Sequence, residues 1–151
     1  KRQFYYHFPS KDYIAAKVLT AQQDHMLQEF AHWVGTEDAT PQDKLHNLFA
    51  KLKTWAQSPA WLGSGYSRLS MELADLPGHP ARKAARTHKR GVEDWLADQL
   101  AAGGLGNPGP RARQIMILIE GGMALALIHG DPAYVQSAAD AATALLDDDK
   151  K

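Results

Sequence analysis

The stretch Phe4-Tyr5-Tyr6-His7-Phe8-Pro9-Ser10-Lys11-Asp12-Tyr13-Ile14 decides how the rest of the chain is read. An aromatic helix end meets Pro9, which lacks an amide donor and disfavours helix in the residue before it, so Phe8 closes one helix. Ser10 can cap the next helix with its hydroxyl, and Asp12 adds negative charge near that helix's positive end. Phe4, Phe8 and Ile14 are placed to pack this corner. Beyond it, the spacing of Ile14, Val18, Ala21, Met26, Phe30 and Trp33 predicts one long helix from Ser10 to Val34 with those residues inward, stopped by Gly35.

The remaining chain also reads as helices. Thr40-Pro41 supplies a cap and a first-turn proline, and Leu45, Leu48, Phe49, Leu52 and Trp55 form a stripe opposite Lys44, Lys51 and Lys53. Residues 58–65 are apolar yet rich in glycine, which predicts a buried connector, and a short helix follows over about 66–74. A long helix over about 81–102 points Ala84, Ala85, His88, Val92, Trp95, Leu96 and Leu100 inward. Its basic side carries Arg82, Arg86, Lys89 and Arg90 and reads as solvated surface. After a loop of glycines and prolines, the helix over about 110–129 is apolar nearly all round, so its second face needs a partner. The last helix puts Val135, Ala138, Ala139, Ala142, Leu145 and Leu146 on one side.

Composition narrows the classes. With 151 residues, 44% of them hydrophobic and 23% charged, the chain fits one compact domain with a sizeable core. It has no cysteine, which removes disulfides, thiol nucleophiles and thiolate metal sites. Net formal charge is zero, which argues against strong nucleic-acid binding by this segment as a whole; Lys1, Arg2, His7 and Lys11 are a local exception. The apolar run from Ile115 to Ile128 is interrupted by Glu120 and is shorter than the ~18–20 residues of a membrane span, so no membrane partner is expected.

Three kinds of chemistry are candidates. His25, Glu29 and His32 share a helix face, but the Glu-x-x-His pair occurs once, where di-iron bundles need it twice with two further carboxylates. A metal protein or helical enzyme built on them is the alternative reading, and chance surface polarity explains them more simply. Ser64, Ser67 and Ser70 lack a nucleophile elbow or a phosphate loop, so no catalytic residue and no cofactor is expected. A binding pocket walled by Phe30, Phe49, Trp55, Trp61, Tyr66, Met71, His88, Trp95, Met116 and Glu120 has the usual make-up of a small-molecule cavity, although a filled aromatic core would look similar. His88 on an apolar face and Glu120 in an apolar helix favour the cavity, because a buried carboxylate needs a partner. Gly121, Gly122, Leu125, Ile128, Val135, Ala138, Ala142 and Leu145 on the last two helices suggest an intermolecular four-helix bundle between two copies.

The opening stretch resembles the end of the recognition helix, the turn and the next helix start of TetR-type transcriptional regulators. Glu72-Leu73-Ala74-Asp75, Gly78-His79-Pro80, Ile119-Glu120-Gly121-Gly122 and Leu127 to Pro132 resemble their ligand-binding halves. The resemblance implies an all-α fold: a TetR-like ligand-binding domain whose C-terminal helix pair dimerises. It implies that residues 1–9 are the remnant of a recognition helix, without the two helices that precede it in that family, that 10–147 form the ligand-binding and dimerisation domain, and that 148–151 are a tail. It implies DNA contacts by Tyr5, Tyr6, His7 and Lys11, the last to phosphate. The function implied is that of a bacterial, cytoplasmic repressor, released from operator DNA by a small hydrophobic or amphipathic ligand. A helical dimerisation module without a ligand is the other alternative.

Overall fold

The computed structural model of the chain describes residues 17–18 and 25–147. The corner at Phe4–Ile14, the residues expected to contact DNA (Tyr5, Tyr6, His7 and Lys11), and the tail lie outside that range. Described residues form helices joined by turns, with no strand among them. In order they are α1 (25–34, with 17–18 also helical), α2 (Pro41–Ala56), α3 (Gly65–Glu72), α4 (Pro80–Ala102), α5 (Pro108–His129) and α6 (Ala133–Asp147).

Local chemistry sets most of these ends. α1 stops at Val34 because Gly35 takes φ +94°, a conformation that L side chains rarely adopt. The Thr40 hydroxyl accepts the Asp43 amide at 3.1 Å, and Pro41 follows in the first turn of α2. Ser64 caps α3 by accepting the Ser67 amide. His79, not foreseen as a cap, does the same for α4 by accepting the Ala81 amide on Nδ1 at 3.1 Å. Asp131 accepts the Ala133 amide at 2.8 Å where α6 begins.

α5 lies at the centre, packing on α4, α6 and α2, while α2 also packs on α6 and α3 on α4. Leu48 and Leu52 of α2, Ile115 of α5, and Val135 and Leu146 of α6 are the largest side chains wholly removed from water. Burying each is worth roughly 1.5–3 kcal/mol. Polar ties fix the layers: Lys44 to Gln99 at 3.0 Å, Lys53 to Gln136 at 3.1 Å, and Asn47 to the Val34 carbonyl at 3.3 Å. α5 and α6 approach most closely at Gly122, where a Cβ would stand 2.9 Å from that of Ala138. His129 stacks on Tyr134 across the turn between them, with centroids 4.8 Å apart.

Four expectations are corrected. Val18 is 51% exposed rather than inward, since no described element covers it. The connector is not buried: Ser58, Pro59, Ala60 and Leu62 face solvent, and Trp61 is half-buried against the core. Lys89 leaves the solvated basic face and turns towards α5. By length and composition α5 could cross a membrane, which the shorter run Ile115–Ile128 did not suggest; here it is the central packing helix. One side of it is nevertheless open, with Ile117 66% and Ile128 73% exposed.

Candidate functional site

Helices α1, α2, α4 and α5 and the start of α3 enclose a cavity of about 320 Å³. That volume is at the lower end of small-molecule sites, which span ~300–1,000 Å³. Its walls follow from helix periodicity: Met26 and Phe30 are one turn apart on α1, Leu48 and Leu52 on α2, His88 and Val92 on α4. α5 contributes Met116, Ile119, Glu120 and Met123. Most of this surface is apolar; Ser64, Tyr66, His88, Lys89 and Glu120 form a polar group on the side of α3, α4 and α5, and His25 adds another from α1.

Glu120 is held by a Lys89 Nζ hydrogen bond of 2.5 Å and by the Ser67 hydroxyl, which donates to its other carboxylate oxygen. Lys89 also donates to the Ser64 hydroxyl at 3.0 Å. The side chains of Lys89 and Glu120 are 28% and 32% exposed, so the pair is partly shielded from water and stronger than one on the surface. Because Ser64 caps α3 and Ser67 lies in its first turn, the ion pair joins α3, α4 and α5.

His88 is 3% exposed, and its ring lies flat on Tyr66 at 3.9 Å with an interplanar angle of 11°. Its Nδ1 is buried with no hydrogen-bond partner among the described residues. Burial lowers its pKa to about 4, reinforced by Lys89 and opposed by Glu120. The imidazole is therefore neutral at neutral pH. Burial also raises the pKa of Tyr66.

Of the residues expected to line a pocket, Phe30, Trp55, Tyr66, His88, Met116 and Glu120 do so. Phe49 is buried in the core and does not line the cavity. Trp61 packs against the core with its indole nitrogen buried and without a hydrogen-bond partner among the described residues. Trp95 packs on Phe30 at 6.0 Å and borders a small cleft between α2 and α4. Met71 is 71% exposed on the outer side of α3. Lys89 was missed as a site residue, as were the aliphatic and methionine walls.

Among residues expected between two copies, Gly122, Val135, Ala138 and Ala142 are buried within one protomer, and Leu145 is half-buried. Their periodicity served the packing of α6 on α5 and α2. Gly121, Leu125 and Ile128 are exposed and share the open side of α5 with Ile117 and Ala124. Among the described residues no three histidine or acidic side chains come together as a metal-ligand group. His25 borders the cavity, whereas His32 is exposed to solvent.

No protein-family model and no curated protein matches the chain. A solved structure from Streptomyces avermitilis, provisionally assigned as a TetR-type transcriptional regulator, matches with a TM-score of 0.73 and 25% identity. The match covers 94% of this chain and 80% of that one. The fold is thus all-helical and TetR-like, as the opening stretch implied.

Proposed function

We propose that this chain is the ligand-binding and dimerisation part of a ligand-responsive, DNA-binding transcriptional regulator. It acts as a repressor that a small molecule releases from operator DNA in the bacterial cytoplasm. The observation that carries the reading is the cavity itself: an apolar chamber in a TetR-like fold, with Ser64, Tyr66, His88, Lys89 and Glu120 among its lining residues. Apolar walls with a few convergent polar side chains suit a ligand that brings a polar group as well as apolar surface.

The architecture supplies a route for a signal. Met26 and Phe30 of α1 touch the cavity, so an occupant bears directly on α1. Two heads on a dimer must span successive major-groove faces ~34–36 Å apart. A ligand that binds better when α1 is tilted shifts the dimer away from that spacing, and no shift occurs without such differential affinity. Tyr5, Tyr6 and His7 would contact the groove, and Lys11 a phosphate. The dimer would form through the open side of α5, with Gly121, Leu125 and Ile128 central and the small exposed residues of α6 beside them.

The test is operator selection from random duplexes with the full-length protein, followed by anisotropy titration with and without candidate ligands. A selected duplex bound well above random DNA, and weakened by a compound that occupies the cavity, is the expected result. Ligand occupancy that leaves operator affinity unchanged would overturn the mechanism.

A further inference from the structure

A second hollow adjoins the first. An outer groove of about 710 Å³ runs between α3, α4 and α5. Tyr66, Lys89, Met116 and Glu120 border both spaces, so the Lys89–Glu120 pair stands in the wall between them. The two sides differ in chemistry. Both have apolar walls, in the groove those of Met71, Ala85, Met116 and Ile117, but the groove adds four basic side chains, Arg82, Arg86, Lys89 and Arg113, against two acidic ones, Glu93 and Glu120.

Compensation in the groove is incomplete. Glu93 is held by Arg113 at 3.0 Å and Glu120 by Lys89. Arg82 donates to the Leu73 and Ala74 carbonyls at 3.3 and 2.9 Å, neutral groups that leave its charge unbalanced. Arg86 is exposed and has no partner among the described residues. The Ser70 hydroxyl adds a donor on the opposite bank, where that of Ser67 is already given to Glu120. A cationic head would add to the positive excess and release Lys89 into it, whereas an anionic head reduces it and can share Lys89 with Glu120.

We infer that cavity and groove form one site for an amphipathic anion: the apolar chain lies in the inner cavity, and the acidic head lies in the outer groove on Lys89 and Arg86. This rests on the ligand-binding reading above and adds the ligand's class and direction. Arg86 and Lys89 are then specificity-determining residues, and Glu120 is an internal competitor for the ligand's head.

The experiment separates the inference from the reading beneath it. The neutral dye N-phenylnaphthylamine is bound to the full-length protein, then displaced by decanoate, decanol or decylamine near neutral pH. Dye binding tests the cavity. Decanoate is expected to displace it at about tenfold lower concentration than either of the others, the size of one added charge-assisted contact. Arg86→Gln, at an exposed position, should bring decanoate to the level of decanol without altering dye binding. Glu120→Gln should strengthen decanoate several-fold. Decanol or decylamine matching decanoate on a protein that binds dye would overturn the anion inference and leave the cavity reading standing. An advantage for decanoate that survives both Arg86→Gln and Lys89→Gln would overturn the placement of its head. Failure of the dye to bind would overturn the cavity reading and this inference with it.

Discussion

His88 makes the stability of this protein depend on pH in one direction. In the unfolded chain its imidazole takes up a proton as pH falls through 6.5, whereas in the folded protein it does so only near 4. Between those values the unfolded state binds more protons, so acid favours unfolding. The contribution is complete above ~6.5, declines through that window and is gone below ~4. At ~1.4 kcal/mol per pH unit, the displacement amounts to about 3 kcal/mol. His88→Phe isolates it, because phenylalanine keeps a ring stacked on Tyr66, does not titrate, and has the cavity beside it to accept the added volume. Urea unfolding followed by tryptophan emission, at one protein concentration and a series of pH values, gives both stability curves. The expected result is near-equality at neutral pH, or a gain of ~1 kcal/mol for the variant from losing an unpaired Nδ1. Towards pH ~4 the variant should then gain about 3 kcal/mol relative to wild type. Parallel curves across the window would refute the assignment of a buried, neutral His88.

Adjacent glycines of α5 should respond oppositely. Gly122→Ala puts a methyl 2.9 Å from the Ala138 Cβ and 3.2 Å from the Tyr134 carbonyl, and should cost about 2 kcal/mol in thermal or urea unfolding. Gly121→Ala meets nothing within 4 Å in the protomer and should be neutral or stabilise by up to ~1 kcal/mol. Lys89→Ala and Glu120→Ala should each destabilise by about 1–2 kcal/mol, with the double variant better than additive by ~1 kcal/mol; strict additivity would mean that the pair contributes nothing. Ile128→Lys, at an exposed position, should leave the protomer folded but shift sedimentation from dimer to monomer; an unchanged dimer would remove the open side of α5 from the interface.

The helices were legible because their signals are local. A 3.6-residue period, Thr40-Pro41 at one start and Gly35 at one end fix an element without reference to its neighbours. The cavity was legible only in part, because period says which residues point inward and not whether they meet a neighbour or a void. Phe30 and Phe49 look alike by that test, yet one borders the chamber and the other fills the core. Trp95 and Trp61 were read by bulk, which does not choose a direction. Lys89 was read by its charge. It follows His88 directly and sits at the edge of the inward stripe, so its long stem can carry the ammonium to Glu120. The need of Glu120 for a partner was the available signal, and a cation beside an inward face was the answer to look for. Gly122, Val135, Ala138 and Ala142, expected between two copies, are buried in the protomer for a related reason: on α6 the apolar side faces its own α5 and α2, while the exposed side carries alanine, serine, Gln136 and Asp140.

The methionines of the chamber set what kind of discrimination it can exercise. Met26, Met116 and Met123 come from opposite walls, and each is an unbranched thioether able to change shape at small cost. A lining of that sort moulds itself to straight, bent or ringed occupants alike, so it is a poor judge of outline. Selection among compounds then falls to the few fixed polar atoms. Such a sensor would recognise a chemical family rather than a single molecule, and changes at its polar groups would retune it more sharply than changes along its apolar walls.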